Sequence, residues 1–455
     1  MMTKYQTLLV NDKHVAAIAS KVASAFLSFF FMWVITQALT PDDAGVFFYS
    51  FTLMTVVVQL SRSGTEHFLV KELSDEGDQV KSSSFIVIMQ TLVVVSFVLF
   101  TLLSILFLLN YLNFFTVYDS PESLIVFYIF MSIMVFFTYS QVIGSYFQSQ
   151  QKIYSQYWAM NVGVTLLASI VALLSMTLDD IHTVLEFSAM YSLVNLVILL
   201  TSFLLYFRKY QGRMNDIGSL ASVIFNVKKI KVLAESLLPY AFVTVCYIII
   251  QWGGQLLSGL WLTNTDLALL SVSQRLAILI GFVFIALSNL IAPQISSIYK
   301  RGDIKKVNKF LIPYLACSNL FAFAIFFTYL FFGEHLLGFF GEFYVKAHWL
   351  LISLSFSVIY SVIVGPVGTI LMMTEKVMFI KKSLIISGSI LIVLSFLLIP
   401  ALGLMGAIIA TIISTVVMNS INMFYVWKIF SIQLISYESI TLQYEFLFKT
   451  IFIRK

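Results

Sequence analysis

The chain has 455 residues, of which 60% are hydrophobic and only 11% charged, and its net charge is +5. That balance excludes an ordinary soluble globule, in which about a quarter of the residues are charged. The 27 Lys and Arg residues are scattered over separate segments rather than clustered, so the positive charge is not a nucleic-acid footprint.

In chain order, apolar runs long enough to cross a bilayer, about 20 residues each, fall at 14–39, 44–61, 84–109, 122–149, 157–178, 184–207, 237–262, 267–292, 309–332, 347–373, 380–399 and 404–428. With the N-terminus inside, the basic residues between these twelve spans gather on one side. Only Lys346 falls outside, and only Lys21 and Arg275 lie in the membrane interior, with Lys309, Lys381, Lys382 and Lys428 at the cytoplasmic ends of their spans. Lys and Arg resist translocation, so the pattern predicts both termini in the cytoplasm. The first span carries Lys21, is too long for a cleavable signal and reads as a permanent helix. The expected fold class is an all-α polytopic membrane protein with 12 transmembrane helices in two parallel six-helix bundles, 1–207 and 237–428. A basic linker, 208–236, joins them and includes an interfacial helix over 223–238, and a cytoplasmic tail occupies 429–455. Lys228, Lys229 and Lys231 are placed to meet anionic headgroups, which makes membrane lipids a partner.

The two halves carry a repeat. The turn Leu39-Thr40-Pro41-Asp42-Asp43-Ala44-Gly45 returns as Leu262-Thr263-Asn264-Thr265-Asp266-Leu267-Ala268, at an offset of 223 residues. The first and seventh spans run in the same direction, so the repeat is parallel, about an axis along the membrane normal.

Polar stripes run along several apolar spans. Tyr240, Thr244, Tyr247, Gln251, Gln255 and Ser258 recur at helical steps in the seventh. The first has Ser24 and Ser28 beside Lys21, the second Thr52, Thr55, Gln59 and Arg62, the fourth Thr138, Gln141, Ser145 and Gln148. Ser and Thr often only cement helix contacts, whereas amides one turn apart, such as Gln251 and Gln255, point to a wet cavity. Lys21 and Arg275 are deep enough that snorkelling competes with binding of an anion. No acidic residue occupies a comparable interior position in the sequence. Gly365-Pro366-Val367-Gly368 interrupts the tenth span as a hinge, an unwound segment or a packing kink.

Catalytic and metal signatures are missing. The sequence has no phosphate-loop motif, no H-E-x-x-H and no C-x-x-C, and His14, His67, His182, His335 and His348 lack ligand spacing. No cofactor or metal is expected. Cys246 and Cys317 sit inside spans and read as small core residues. The absence of an N-x-[ST] sequon fits a bacterial protein.

A series of short motifs, common singly but specific in their order, runs along the chain. They are Leu39 to Phe47; Ser63-Gly64-Thr65-Glu66 followed by Val70-Lys71-Glu72; Leu238-Pro239; and Ser271-Val272-Ser273-Gln274-Arg275-Leu276. Pro293-Gln294-Ile295-Ser296 with Gly302-Asp303, Phe332-Gly333-Glu334, Phe340-Gly341 and Gly403 to Thr411 follow. With these the chain resembles the polysaccharide-biosynthesis flippases, in particular the bacterial O-antigen flippases, relatives of lipid II flippases and multidrug extruders. The resemblance implies two six-helix bundles around a central cavity that opens alternately to either side. It implies an undecaprenyl-pyrophosphate-linked oligosaccharide as substrate, moved to the periplasmic leaflet of the bacterial inner membrane. Lys21, Arg62 and Arg275 occupy places similar to the cavity cations of the lipid II flippases and become diphosphate ligands. Ser24, Ser28, Thr52, Gln59, Gln141, Gln148, Thr244, Tyr247, Gln251 and Gln255 become the glycan-facing lining. The polysaccharide polymerase and chain-length regulator become partners. Two C-terminal helices of the lipid II flippases have no counterpart, which favours the O-antigen branch.

Two other classes compete. A multidrug/cation antiporter of the same superfamily would want buried acids, but Asp179, Asp180 and Glu186 lie at or near the outer edge. A membrane-embedded polymerase or glycosyltransferase would want large outer loops with catalytic groups, and those near 110–121 and 333–346 are short.

Overall fold

The structure, a computed structural model, describes residues 12–62, 101, 116–150, 152–178, 183–210, 227–302, 306–432, 434–435, 441–443 and 445. The span expected over 84–109 lies outside these residues except for Thr101, as does 211–226 of the linker. All regular structure among the described residues is helical. The reason is solvation, since in lipid a helix satisfies its backbone groups internally.

The helices are α1 (Asp12–Ala38), α2 (Pro41–Ser61), α3 (Pro121–Ser149) and α4 (Ile153–Tyr157), then a π-helix (Trp158–Val162) leading into α5 (Gly163–Leu178). α6 (Val184–Tyr210), α7 (Val227–Ser258), α8 (Asn264–Ile280), α9 (Phe282–Lys300) and α10 (Lys306–Gly338) follow. The last are α11 (His348–Val364), α12 (Val367–Met373), α13 (Val377–Leu402) and α14 (Leu404–Phe430). Eight helices are long and apolar enough to cross a membrane, or ten if each of two bent pairs is one span. The protein is therefore a multi-pass membrane protein. Eleven of the twelve expected spans fall on described helices, and the third, 84–109, lies outside the described residues apart from Thr101. Residues 227–238 of the expected interfacial helix form the first turns of α7, which continues as helix past Pro239.

Side-chain caps fix where several helices begin. Thr40 caps α2, with Pro41 in the first turn and Asp42 and Asp43 facing the positive end of the helix dipole. Ser120 and Ser123 cap each other's backbone at α3, where Pro121 again opens the helix. At α6 the Thr183 hydroxyl accepts from the Glu186 N–H at 3.3 Å while a Glu186 carboxylate oxygen accepts from the Thr183 N–H at 3.2 Å.

The chain forms two compact units, Met1–Ile248 with Thr263–Ala268, and Ile249–Leu262 with Leu269–Lys455. The division falls within α7 and within α8 rather than in the linker. In the first unit α3 packs on α2 and α6, and α5 on α1 and α6. Tyr191 centres its aromatic core, stacked on Phe31 at 5.7 Å and on Phe130 at 5.8 Å. Just before α3, Tyr118 is half-buried and shares a 2.9 Å hydrogen bond with Ser50. Burial raises its pKa well above the usual phenol range, and the Ser50 bond only partly opposes this, so the hydroxyl stays protonated. At the start of α8, Asn264 Nδ2 donates to Asp42 at 3.3 Å, and its backbone carbonyl lies so close to Gly45 that a Cβ there would collide.

In the second unit α13 and α14 form a hairpin that turns at Gly403 (φ +60°), and α11 packs on α10 and α14. The tenth span is broken where the sequence indicated. Gly365 has φ +81° and Pro366 has no N–H to continue the ladder, so α11 stops and α12 starts afresh at Val367. After α14, Ile432 and Leu434 are buried again, and Leu434 reaches Gly365.

Candidate functional site

In the first unit, polar side chains converge where α2 ends. Arg62 is the C-cap of α2, and its Nη1 donates to Gln141 Oε1 of α3 at 3.2 Å. The other end of that amide, Nε2, donates to the backbone carbonyl of Met160 in the π-helix. The neighbouring Ser140 hydroxyl donates to the carbonyl of Ala159 at 2.6 Å. A π turn displaces backbone groups from the ordinary helical ladder, which is why two successive carbonyls can serve α3.

In the second unit, α7 and α8 are stitched by amides. Gln255 Nε2 donates to Ser271 Oγ at 2.7 Å, both fully inside, and one turn earlier on α7 the Gln251 carbonyl accepts from Gln274 Nε2 at 3.0 Å. On another face of α7, Gly254 admits the Thr411 hydroxyl of α14, which a Cβ would meet at 2.5 Å. Arg275 follows Gln274 in the middle of α8, is half-buried and interacts with its surroundings.

The sequence-predicted residues thus separate. Arg62 comes together with Gln141, and Gln251 and Gln255 with α8. Gln141 and Gln255, expected to line a cavity, are buried with their amides bonded inside their own units. Thr52 is also buried, its hydroxyl returned to the Phe48 carbonyl of its own helix at 2.8 Å. Ser28 is exposed, yet its hydroxyl is bonded to the Ser24 carbonyl. Gln148 and the Gln251 side chain are exposed, whereas Ser24, Gln59, Thr244 and Tyr247 are half-buried. Lys21 lies in α1, and its side chain is outside the described residues. Gly365, Pro366 and Gly368 stand at the break between α11 and α12.

Sequence reasoning missed Gln274 and Ser271, the partners of the α7 amides, and a polar seam along α14. There Asn422 Oδ1 accepts from Ser383 at 2.7 Å, and Asn419 Nδ2 donates to Ser361 at 2.9 Å. Two amides three residues apart in an apolar run were the available signal for that seam. Among the described residues no group of three His, Cys, Asp or Glu side chains could hold a metal ion.

Comparison with known proteins places this architecture. No curated protein sequence matches the chain. Among solved structures it is similar to the lipid II flippase MurJ in an inward closed conformation, at 15% identity and a TM-score of 0.69, over 97% of this chain and 93% of that one. It is similar to a multidrug resistance MATE family transporter of the MOP superfamily in an inward-facing conformation, at 11% identity and a TM-score of 0.69, over 95% and 99% of the two chains. A MOP superfamily transporter from Pyrococcus furiosus is also similar, at 12% identity and a TM-score of 0.59, over 92% of this chain and 96% of that one. At such identities the likeness is one of fold. The profile of the polysaccharide biosynthesis proteins matches residues 12–299, more than half of the sequence, and the chain belongs to that family.

Proposed function

We propose that the protein is a flippase that moves an undecaprenyl-pyrophosphate-linked oligosaccharide, an O-antigen or similar repeat unit, from the cytoplasmic to the periplasmic leaflet of a bacterial inner membrane. It works by alternating access, with both termini cytoplasmic. The observation that carries the reading is the placement of charge on the helices. Among the described residues, Asp42, Asp43, Glu122, Glu186 and Asp266 lie in first turns, Glu334 lies near the end of α10, and Glu235 lies on α7 before its apolar stretch Ala241–Ser258. Arg275, by contrast, sits half-buried in mid-helix in α8. A transporter of cations would want the reverse, a carboxylate in the middle of a span.

A diphosphate is too costly to carry through hydrocarbon with its charge unmet, so cations must replace its water. Lys21, Arg62 and Arg275 fill that role. Sugar hydroxyls need amides and phenols, and exposed Gln251 and half-buried Tyr247 on α7 are suited to them. The break at Gly365–Pro366 is the hinge of the second bundle, and the polymerase and chain-length regulator take up the product.

The test is deletion of the gene followed by analysis of lipid-linked sugars. An oligosaccharide diphosphate lipid accumulating on the cytoplasmic face is the expected result. Unchanged lipid-linked sugar together with new sensitivity to cationic dyes would replace this reading by the antiporter.

A further inference from the structure

The polar cluster at the end of α2 has an internal order. A glutamine amide can be built either way round, and its bonds decide the choice. Only the nitrogen end of Gln141 can donate to the Met160 carbonyl, so the oxygen end must face Arg62, where it accepts from Nη1 at 3.2 Å. The Met160 carbonyl is in turn held by the π-helix. Two glycines fix that turn against its neighbours. At Gly163 a Cβ would meet the Trp158 carbonyl at 2.5 Å and Ile198 at 2.7 Å, and at Gly144 it would strike the side chain of Met160. Ser140, beside Gln141, anchors the adjoining carbonyl of Ala159. Backbone, amide and guanidinium therefore form one chain of hydrogen bonds, with the Gln141 side chain 6% exposed.

From this geometry we infer that Gln141, oriented by the π-helix carbonyl, is a positioning residue that sets where the Arg62 guanidinium stands to receive the substrate diphosphate. The inference rests on the flippase reading above, because it takes Arg62 as a diphosphate ligand. Gln141 acts through Arg62 and does not itself touch the glycan. The arrangement suits an arginine, which here has further interactions besides the Gln141 bond and whose long side chain has many rotamers. Holding it in one of them removes part of the entropic cost of binding.

The test is a double-mutant cycle on the full chain in lipid nanodiscs, with undecaprenyl diphosphate as the probe. Gln141→Leu removes the amide, and Gln141→Asn keeps an amide too short to reach both partners while sparing the polarity of the site. Each is expected to weaken binding about tenfold, the scale of one hydrogen bond to a charged group. In an Arg62→Gln background neither should weaken it further, because the residue they position is gone. Thermal unfolding of each variant separates loss of fold from loss of binding. Equal losses with and without Arg62 would overturn the inference, since a packing role is indifferent to Arg62. Full binding by both Gln141 variants, with binding weakened by Arg62→Gln, would also overturn it and leave the flippase reading standing. Full binding by Arg62→Gln and Arg275→Ala alike would overturn the diphosphate reading itself.

Discussion

Thr40 opens α2 and Thr263 opens α8 with the same hydrogen bond, from the N–H of an aspartate three residues on, Asp43 or Asp266, to the threonine hydroxyl at 3.3 Å in each. Beyond that shared start the two helices part company. α2 runs for 21 residues and ends at Arg62, whereas α8 stops after 17 and meets α9 at a bend of 51° beside Gly281. Their arginines differ accordingly. Arg62 stands half-buried at a helix end, where an amide from α3 bonds it. Arg275 stands in mid-helix, where holding a charge is more demanding. A cap is local chemistry and repeats wherever its four residues repeat. The path of a helix depends on its neighbours and need not repeat.

The largest effect should come from the more demanding arginine. Arg275→Ala is expected to abolish surface polysaccharide while protein abundance in the membrane stays normal. Arg275→Lys should restore part of it, because the charge remains but the planar fork is lost. Normal polysaccharide with the Ala variant would remove Arg275 from the site and leave α8 no more than a structural copy of α2.

Gly45 and its counterpart at the same offset, Ala268, sharpen the comparison at the level of stability. A Cβ at Gly45 would collide with the Asn264 backbone, which cannot swing aside as a side chain does. Gly45→Ala should therefore cost about 1–3 kcal/mol, the range for overpacking. Ala268→Gly should cost only about 1 kcal/mol, the helix penalty of glycine. Thermal unfolding in detergent measures both, and equal costs would mean that the contact is not as tight as the structure has it.

The smallest effects belong to the caps. Thr40→Ala and Thr263→Ala should each lose about 1 kcal/mol. Similar losses would support equivalent caps, and a clear inequality would show that other bonds matter. Thr40 also donates to the Asp43 carboxylate at 2.8 Å, and Thr263 is bonded to Thr265 at 3.0 Å.

These helices also show what could be read from the chain. The Thr-x-x-Asp turns were legible as a repeat, though not as the helix starts they are at Pro41 and Asn264, and the break at Gly365–Pro366 was legible because proline lacks an N–H wherever it sits. The bend at Gly281 was not, since one glycine in an apolar run says little without its neighbours. That the stretch with Lys228, Lys229 and Lys231 continues as helix into α7 was not legible, since basic residues next to Pro239 read as a separate surface element. In the candidate site, periodicity pointed to polar faces but could not say what each face meets. Gln141 and Gln255 look like cavity amides in sequence and are buried cross-links in the fold. The π-helix was invisible, because it is a matter of backbone hydrogen bonding and carries no residue pattern of its own.

The central claim is that a lipid diphosphate is the cargo, and reconstitution tests it most directly. The purified full chain is placed in liposomes loaded with a fluorescent undecaprenyl-diphosphate oligosaccharide, and the label reaching the opposite leaflet is followed with a membrane-impermeant quencher. The account predicts transfer by the wild type, little above empty liposomes for Arg275→Ala, and partial transfer for Arg275→Lys. No transfer by well-folded wild-type protein, with gradient-driven movement of a cationic dye instead, would contradict it.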